Sequence, residues 1–423
     1  MKFNEWRVIR FSARMPMAGI ATLWLGLFGI SVGMFWSAQA QGQTQTSAKS
    51  AVNATVNATV KPVAIPAANA NPNSGKPPQL QVLHESRDVI WGFDFLSENE
   101  VVLTERKGEL KILRLDFSAS QASRVIRVQG APKVWAKGQG GLLDVRVHPE
   151  KKNWIYMTYS APLAKGGATA LGLGRIEREA NGARLVEWRE LFRSDADGKS
   201  GVHFGSRIEF RREANAWWLY MSIGDRDERD LAQSLKAHNG KILRLNPEGR
   251  AGADNPFVGQ AQAHAEIWSL GHRSPQGLAR NPTTDELWMA EMGPRGGDEL
   301  NLVKRGANYG WPKLTYGREY WGPSIGEGTT QAGFESPVAH WVPSISPSGM
   351  AWVSSDKIPA WKGSLLMGTL SGTHIRRLAF KGSQVSQQEV LFADQGQRFR
   401  ALREGPDGWM YFATDAGLLG RIE

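Results

Sequence analysis

A histidine set among glycines, in Gly201-Val202-His203-Phe204-Gly205-Ser206-Arg207, is the side chain best suited here to move a proton. It follows the polar stretch Ser194-Asp195-Ala196-Asp197-Gly198. It precedes a strand pattern of Ile208, Phe210 and Trp217 to Ile223. Imidazole titrates near neutral pH, and the small neighbours leave room for a substrate. The same ring could instead serve only to hydrogen-bond its own loop, and the stretch alone leaves both readings open. Other loops carry polar groups that a scaffold does not require. They are Lys137-Gly138-Gln139-Gly140-Gly141, Ile223-Gly224-Asp225-Arg226-Asp227, Gly271-His272-Arg273-Ser274, Glu291 to Glu299, Asn308 to Pro312 and Gln395 to Arg400. Taken singly, each is an ordinary turn. An arginine in such a turn is ordinarily solvated, so no loop by itself names a ligand.

The elements between these loops repeat. A short apolar strand, a polar turn and an aromatic-rich strand occur at Ile90–Glu105, Leu143–Tyr159, Arg207–Ser222, Gln276–Ala290, Ser348–Gly368 and Ala401–Ala413. The copies lie roughly fifty to seventy residues apart, the spacing of a radial array whose units cover one another's faces. The pattern predicts an all-β fold, a six-bladed β-propeller with four-stranded antiparallel blades, in one domain over residues 79–423. Lys111-Ile112-Leu113-Arg114-Leu115 and Lys241-Ile242-Leu243-Arg244-Leu245 resemble each other and are expected as third strands of two blades.

Composition narrows the chemistry. The 423 residues hold no cysteine, so thiolate nucleophiles, thiolate metal sites and disulfides are excluded. Net charge is +10, with basic residues scattered rather than gathered into a stripe. That argues against nucleic acid and favours a small anionic ligand or a solvated basic surface. Residues 1–40 combine Lys2, Arg7, Arg10 and Arg14, an apolar run from about Ala18 to Trp36, and Ala38-Gln39-Ala40. This is the pattern of a secretory signal cut after Ala40, with an uncleaved membrane anchor as the alternative. Residues 41–78, rich in Ala, Asn, Thr, Pro and Ser, read as a disordered linker.

Gly138-Gln139-Gly140-Gly141-Leu142, His203-Phe204-Gly205, Gly293-Pro294-Arg295-Gly296-Gly297-Asp298-Glu299 and Asn308-Tyr309-Gly310-Trp311-Pro312 occur in this order. Together they resemble the glucose/sorbosone dehydrogenase family, and within it the bacterial periplasmic aldose sugar dehydrogenases. The resemblance runs from about Trp91 to Ile422. It implies a six-bladed propeller that uses pyrroloquinoline quinone (PQQ) and calcium to oxidise an aldose sugar at C1 to a lactone. It leaves the electron acceptor open, and a membrane partner arises only if residues 1–40 stay attached. On this resemblance His203 is the base and Arg273 stands near the reactive quinone carbonyl. Gln139, Asp225, Ser274, Ser371, Arg398 and Arg400 match cofactor-pocket positions. The carbonyls of Gly293 and Pro294 match calcium ligands, and Glu299, with Asp298, is a candidate for a second calcium. Four positions depart from the family pattern: Ser371 stands for a lysine, Ser274 for an asparagine, Val202 for a polar residue and Met292 for Gln or His. Two further readings are a calcium-dependent lactonase on the same scaffold and a non-catalytic sugar- or partner-binding propeller. If the signal is removed as expected, mass measurement of the exported protein finds Gln41 as the first residue; an intact Met1 end identifies the anchor instead.

Overall fold

Apolar residues in this chain run through strands without the alternation of a half-solvated sheet, which requires cover on both faces. The computed structural model describes residues 77–116, 122–196 and 198–423. The expected signal segment, 1–40, lies outside the described residues, as does the expected linker apart from Pro77 and Pro78. Among the described residues no helix is long and apolar enough to cross a membrane.

The strands are β1 (Leu80–Glu85), β2 (Ile90–Ser97), β3 (Glu100–Glu105), β4 (Leu110–Leu115), β5 (Ala122–Gln129), β6 (Leu142–Val147), β7 (Trp154–Leu163) and β8 (Gly166–Glu179). They continue with β9 (Gly182–Arg193), β10 (Ile208–Glu213), β11 (Ala216–Ile223), β12 (Lys241–Leu245), β13 (Ile267–Leu270), β14 (Pro275–Arg280), β15 (Leu287–Glu291) and β16 (Asp298–Leu302). The last are β17 (Ala339–Trp341), β18 (Pro347–Trp352), β19 (Leu365–Thr369), β20 (Ile375–Lys381), β21 (Gln384–Leu391), β22 (Phe399–Glu404), β23 (Met410–Thr414) and β24 (Leu418–Ile422). The fold is all-β, as expected. Each of the six repeats falls on a hairpin of two consecutive strands, and β4 and β12 are third strands of their units.

Four sheets have four strands, β10 to β13, β14 to β17, β18 to β21, and β22-β23-β24 completed by β1. The remaining eight strands form one sheet, where separate four-stranded sheets were expected. The cause is local: the outer strands β5 and β9 meet in parallel over only Val128↔Ala183 and Gln129↔Arg184. The strand β1 has no counterpart in the repeat pattern, because it is half exposed and short of apolar residues. It joins the two ends of the described chain through Gln79 N–H to Glu423 O at 2.7 Å and Glu423 N–H to Gln79 O at 2.9 Å.

Side-chain alternation explains the cohesion. In β11, Leu219, Met221 and Ile223 enter a core with Tyr156, Leu171 and Leu243. Tyr220, between them, points into a different core with Trp268, Leu278 and Met289. Each strand thus glues its sheet to a neighbour on either side. The first strands touch in sequence, β2 with β6, β6 with β10, β10 with β14, β14 with β18, β18 with β22, and β22 again with β2.

Arg207 stands where those strands converge, fully buried. Its guanidinium donates to Gln276 O at 2.8 Å, Trp91 O at 3.3 Å, Arg400 O at 2.5 Å and Asp144 Oδ1 at 3.2 Å. It also lies 4.1 Å from the centre of the Trp91 ring. Asp144 Oδ2 in turn accepts the Ile208 N–H at 3.0 Å. Burial pushes the Arg207 guanidinium down to about 10, against the opposing pull of Asp144, so it stays charged at neutral pH. Removing one member of a buried pair leaves the other charge uncompensated. Arg207→Leu is expected to lower unfolding free energy by about 3–5 kcal/mol in chemical denaturation.

Candidate active site

His203 sits in the loop ahead of β10 with φ of 54°, a left-handed conformation that bulky residues seldom adopt. The loop reverses tightly at Gly205, φ 65°, where a Cβ would stand 2.8 Å from Ser222 O. Only glycine fits there. The main-chain N–H of His203 donates to Gln139 Oε1 at 2.8 Å. Behind the loop, the buried Arg226 guanidinium lies 3.5 Å from the centre of the Phe204 ring. It donates to Val202 O, to Ser200 O at 2.7 Å, to Gly167 O at 3.0 Å and to Gly198 O at 3.3 Å. One side chain therefore holds most of the carbonyls leading into the histidine.

The imidazole is oriented by Asp225, which follows β11. His203 Nδ1 lies 2.6 Å from Asp225 Oδ1. Asp225 Oδ1 also accepts the Asp227 N–H at 2.9 Å, and Oδ2 accepts Trp311 Nε1–H at 2.8 Å. Burial pushes the Asp225 carboxyl up, but the hydrogen bond and charge of His203, the Asp227 amide and Arg273 outweigh it, so the net shift is downward. An ionised carboxylate only accepts, so Nδ1 carries the hydrogen in either charge state of the ring, and Nε2 is the nitrogen with a lone pair whenever the ring is neutral. That is the tautomer a general base needs.

His203 opens on a cavity of about 430 Å³ whose walls include Gln139, Arg106, Arg273, Gly293, Pro294, Arg398, Arg400 and Asp415. Residues more than 250 positions apart in sequence meet there by folding. Arg273 donates from Nη1 to Met292 O at 3.0 Å and Gly293 O at 2.8 Å, and from Nη2 to the Tyr320 hydroxyl at 3.4 Å. Arg398 Nε and Arg400 Nε bind the two oxygens of Asp415 at 2.8 and 2.7 Å. Burial raises the Asp415 carboxyl, and the two arginines, Arg400 first, more than offset it. With His203 neutral, four arginines and one aspartate give the lining a charge of +3.

Of the residues expected from sequence, His203, Gln139, Arg273, Gly293, Pro294, Arg398 and Arg400 share this cavity. Three expected cofactor-pocket residues are not among its lining residues. Asp225 is buried behind His203, with its side chain taken up by that ring and Trp311. Ser274 is buried in the strand junction, its carbonyl accepting the Met292 N–H at 3.0 Å. Ser371 is held one residue back from the wall, donating to Ser346 Oγ at 2.8 Å, and borders a neighbouring open groove. Met292 is in the wall, and Val202 points its carbonyl at Arg226. Asp298 is not available to a metal, because Ser344, Ile345 N–H, Ser346 N–H and Gly293 N–H use its oxygens. Glu299 lies away from the main cavity, with Glu291 on a pocket of about 10 Å³. Burial first, then the Glu291 charge, raises its carboxyl well above the ordinary range.

Sequence reasoning passed over Arg106, Tyr320 and Asp415. Arg106 donates to Gly138 O at 2.6 Å from the turn after β3. Nothing in Glu105-Arg106-Lys107-Gly108 separates it from a solvated turn. Asp415 had a signal, since a carboxylate was needed to hold two arginines spaced to point the same way from β22.

A histidine with its orienting carboxylate at the rim of a basic cavity is an arrangement that can move a proton, here on an all-β scaffold. The chain belongs to the glucose/sorbosone dehydrogenase family, whose sequence model matches residues 87–421. It is 39% identical over 342 residues to the aldose sugar dehydrogenase YliI of Escherichia coli, covering 79% of this chain and 90% of that one. It superposes on the apo-form of the soluble E. coli aldose sugar dehydrogenase with a TM-score of 0.77 at 36% identity, over 82% of this chain and 99% of that one. The PQQ-bound aldose sugar dehydrogenase of Streptomyces coelicolor superposes with a TM-score of 0.66 at 25% identity, over 82% and 99%.

The depressed Asp225 carboxyl carries a sign. Its contribution to stability is present above the unfolded value, about pH 4, and is lost as pH falls through the lower folded value. The stability difference between wild type and Asp225→Asn, measured by denaturation at acid pH, is therefore expected to shrink as the pH falls below about 4.

Proposed function

We propose that the protein is a PQQ- and calcium-dependent aldose dehydrogenase that oxidises the sugar C1 to a lactone, with His203 as the base. The observation that carries this is the His203–Asp225 pair facing a cavity lined by four arginines. The supporting architecture is a six-bladed propeller over residues 79–423, in which the eight-stranded sheet counts as two blades joined at a two-residue seam. The closed order of first strands supports that count. The amino-terminal pattern supports export to the periplasm.

The residues fit the cofactor. A flat tricarboxylate suits a cavity lined at +3, and Arg106 supplies a cation where Ser371 lacks one. Calcium takes hard oxygen donors, main-chain carbonyls included. The Gly293-Pro294 turn has two such carbonyls; Gly293 O accepts Arg273 Nη1–H at 2.8 Å and would have to exchange that donor for the ion, while the shape of the turn is fixed, since a Cβ on Gly293 would lie 2.2 Å from Gly296 O. Glu299 with Glu291 is the counterpart for a second cation, which would relieve the crowding of two buried carboxyls.

In the reaction, Nε2 of His203 takes the proton of the C1 hydroxyl. Asp225 keeps Nδ1 protonated and stabilises the imidazolium that forms. Gln139 fixes the histidine main chain, and Arg226 fixes the loop. Arg273 holds a permanent positive charge at the cavity wall, where negative charge grows during oxidation. A bound PQQ held by the cavity arginines would supply the two-electron oxidant for the hydride leaving C1, and calcium at the Gly293-Pro294 carbonyls would supply Lewis acidity. No carboxylate ring surrounds a metal position in the cavity, since Asp415 is held by two arginines. That leaves the lactonase reading without a supporting observation.

The test is reconstitution with PQQ and calcium, an aldose panel and a dye acceptor. His203→Gln is expected to lower turnover by about 10²–10⁴ while leaving the PQQ titration unchanged. Absence of turnover on every aldose, with the quinone shown to be bound, would favour the non-catalytic binding reading instead.

A further inference from the structure

Three side chains with no part in the dehydrogenase site converge on the far side of the His203 loop. Asp195 follows β9, His238 precedes β12, and His264 precedes β13. One ligand atom from each lies within 4.8 Å of the others. Both oxygens of Asp195 are engaged, Oδ1 with His238 Nδ1 at 2.8 Å and Oδ2 with His264 Nε2 at 2.7 Å. The two rings stack with centroids 3.9 Å apart. His238 is buried, and its Nε2 has no hydrogen-bond partner, with Glu266 Oε2 the nearest carboxylate at 3.8 Å. Two imidazoles crowded on one carboxylate, with a further carboxylate behind the buried ring, is the ligand arrangement of a metal centre and its outer support.

We propose that Asp195, His238 and His264 form a binding site for a borderline divalent metal of the zinc class, separate from the dehydrogenase cavity. Two nitrogen donors and one carboxylate oxygen suit zinc, whereas calcium selects all-oxygen sets. Asp195 and His264 are part-exposed, with side chains 44% and 33% accessible, which leaves a path for the ion and a position for water. Binding would fan the stacked rings apart, and the surface ring, His264, is the one free to move. The site would tie the eight-stranded sheet, through the loop after β9, to the neighbouring sheet of β12 and β13. In a chain with no cysteine, a metal is the remaining kind of staple. It also borders the base: the loop from Asp195 leads to His203, and Asn239 Nδ2, next to His238, donates to Asp225 O at 2.9 Å.

The test uses the whole exported protein, stripped with a chelator and free of quinone. Zinc is titrated by calorimetry, and cobalt(II) by its visible absorption, with calcium as the control. Expected are one saturable zinc site, a cobalt spectrum of nitrogen–oxygen coordination that calcium does not displace, and zinc binding at least about tenfold weaker in His264→Ala or Asp195→Asn. His264 lies at the surface, and Asp195→Asn preserves shape, so folding checked by circular dichroism provides two independent variants. No saturable zinc binding, or binding unchanged in both variants, overturns the proposal. Because no sugar or quinone enters the measurement, its failure leaves the dehydrogenase reading untouched.

Discussion

The buried Arg207 guanidinium is the constraint on which the arrangement depends. It gathers carbonyls from β2, β14 and β22, and the carboxylate of Asp144 from β6, onto the residue just before β10. Strands of one sheet are held by their ladders, and sheets are held to one another by apolar faces that could slide. A charged fork with fixed donor directions removes that freedom at the one place where several first strands meet. Asp144 is needed as well, because a lone guanidinium in such a place would be too costly to bury. The cavity lies against this assembly, with Trp91, the ring under Arg207, in its wall.

A second arginine does the same for chemistry. Arg226 collects the carbonyls of the loop before His203 and presses on Phe204, so the histidine keeps its left-handed backbone. Asp225 then chooses the tautomer, and Trp311 and Asp227 keep Asp225 in place. The Asp225 N–H donates to Arg273 O at 2.8 Å, so the segment that orients His203 is also tied to the backbone of Arg273. Two of the pattern's departures lose their weight here. Val202 contributes its carbonyl to Arg226, a role for which its side chain is immaterial. Ser371 is held back from the cavity wall, and Arg106 brings a cation from another loop.

Much of this was legible in the sequence. The hairpins at Ile90–Glu105, Arg207–Ser222 and Ala401–Ala413 announce themselves through apolar runs bounded by turns, a property of neighbouring residues. His203, Gln139, Arg273, Arg398 and Arg400 stand out because their types are unneeded in turns and their order matches a family. The strand β1 was silent, since its partner lies at the opposite end of the chain. The seam between β5 and β9 was silent because it joins only two residue pairs of strands in adjacent repeats.

Residue types and local patterning determined the strand content, the repeat and the absence of thiol chemistry, and the order of motifs shared with a family singled out His203 as the candidate base. Only the tertiary structure decided that Asp225 backs the histidine and does not line the pocket, that Asp298 is spent on its own turn, and that Arg106 and Asp415 belong to the cavity. The physical reason is that patterning acts between neighbours in sequence. A hydrogen-bond partner or a cavity wall is set by which loops the packed sheets bring within a few ångströms, and that depends on every sheet at once.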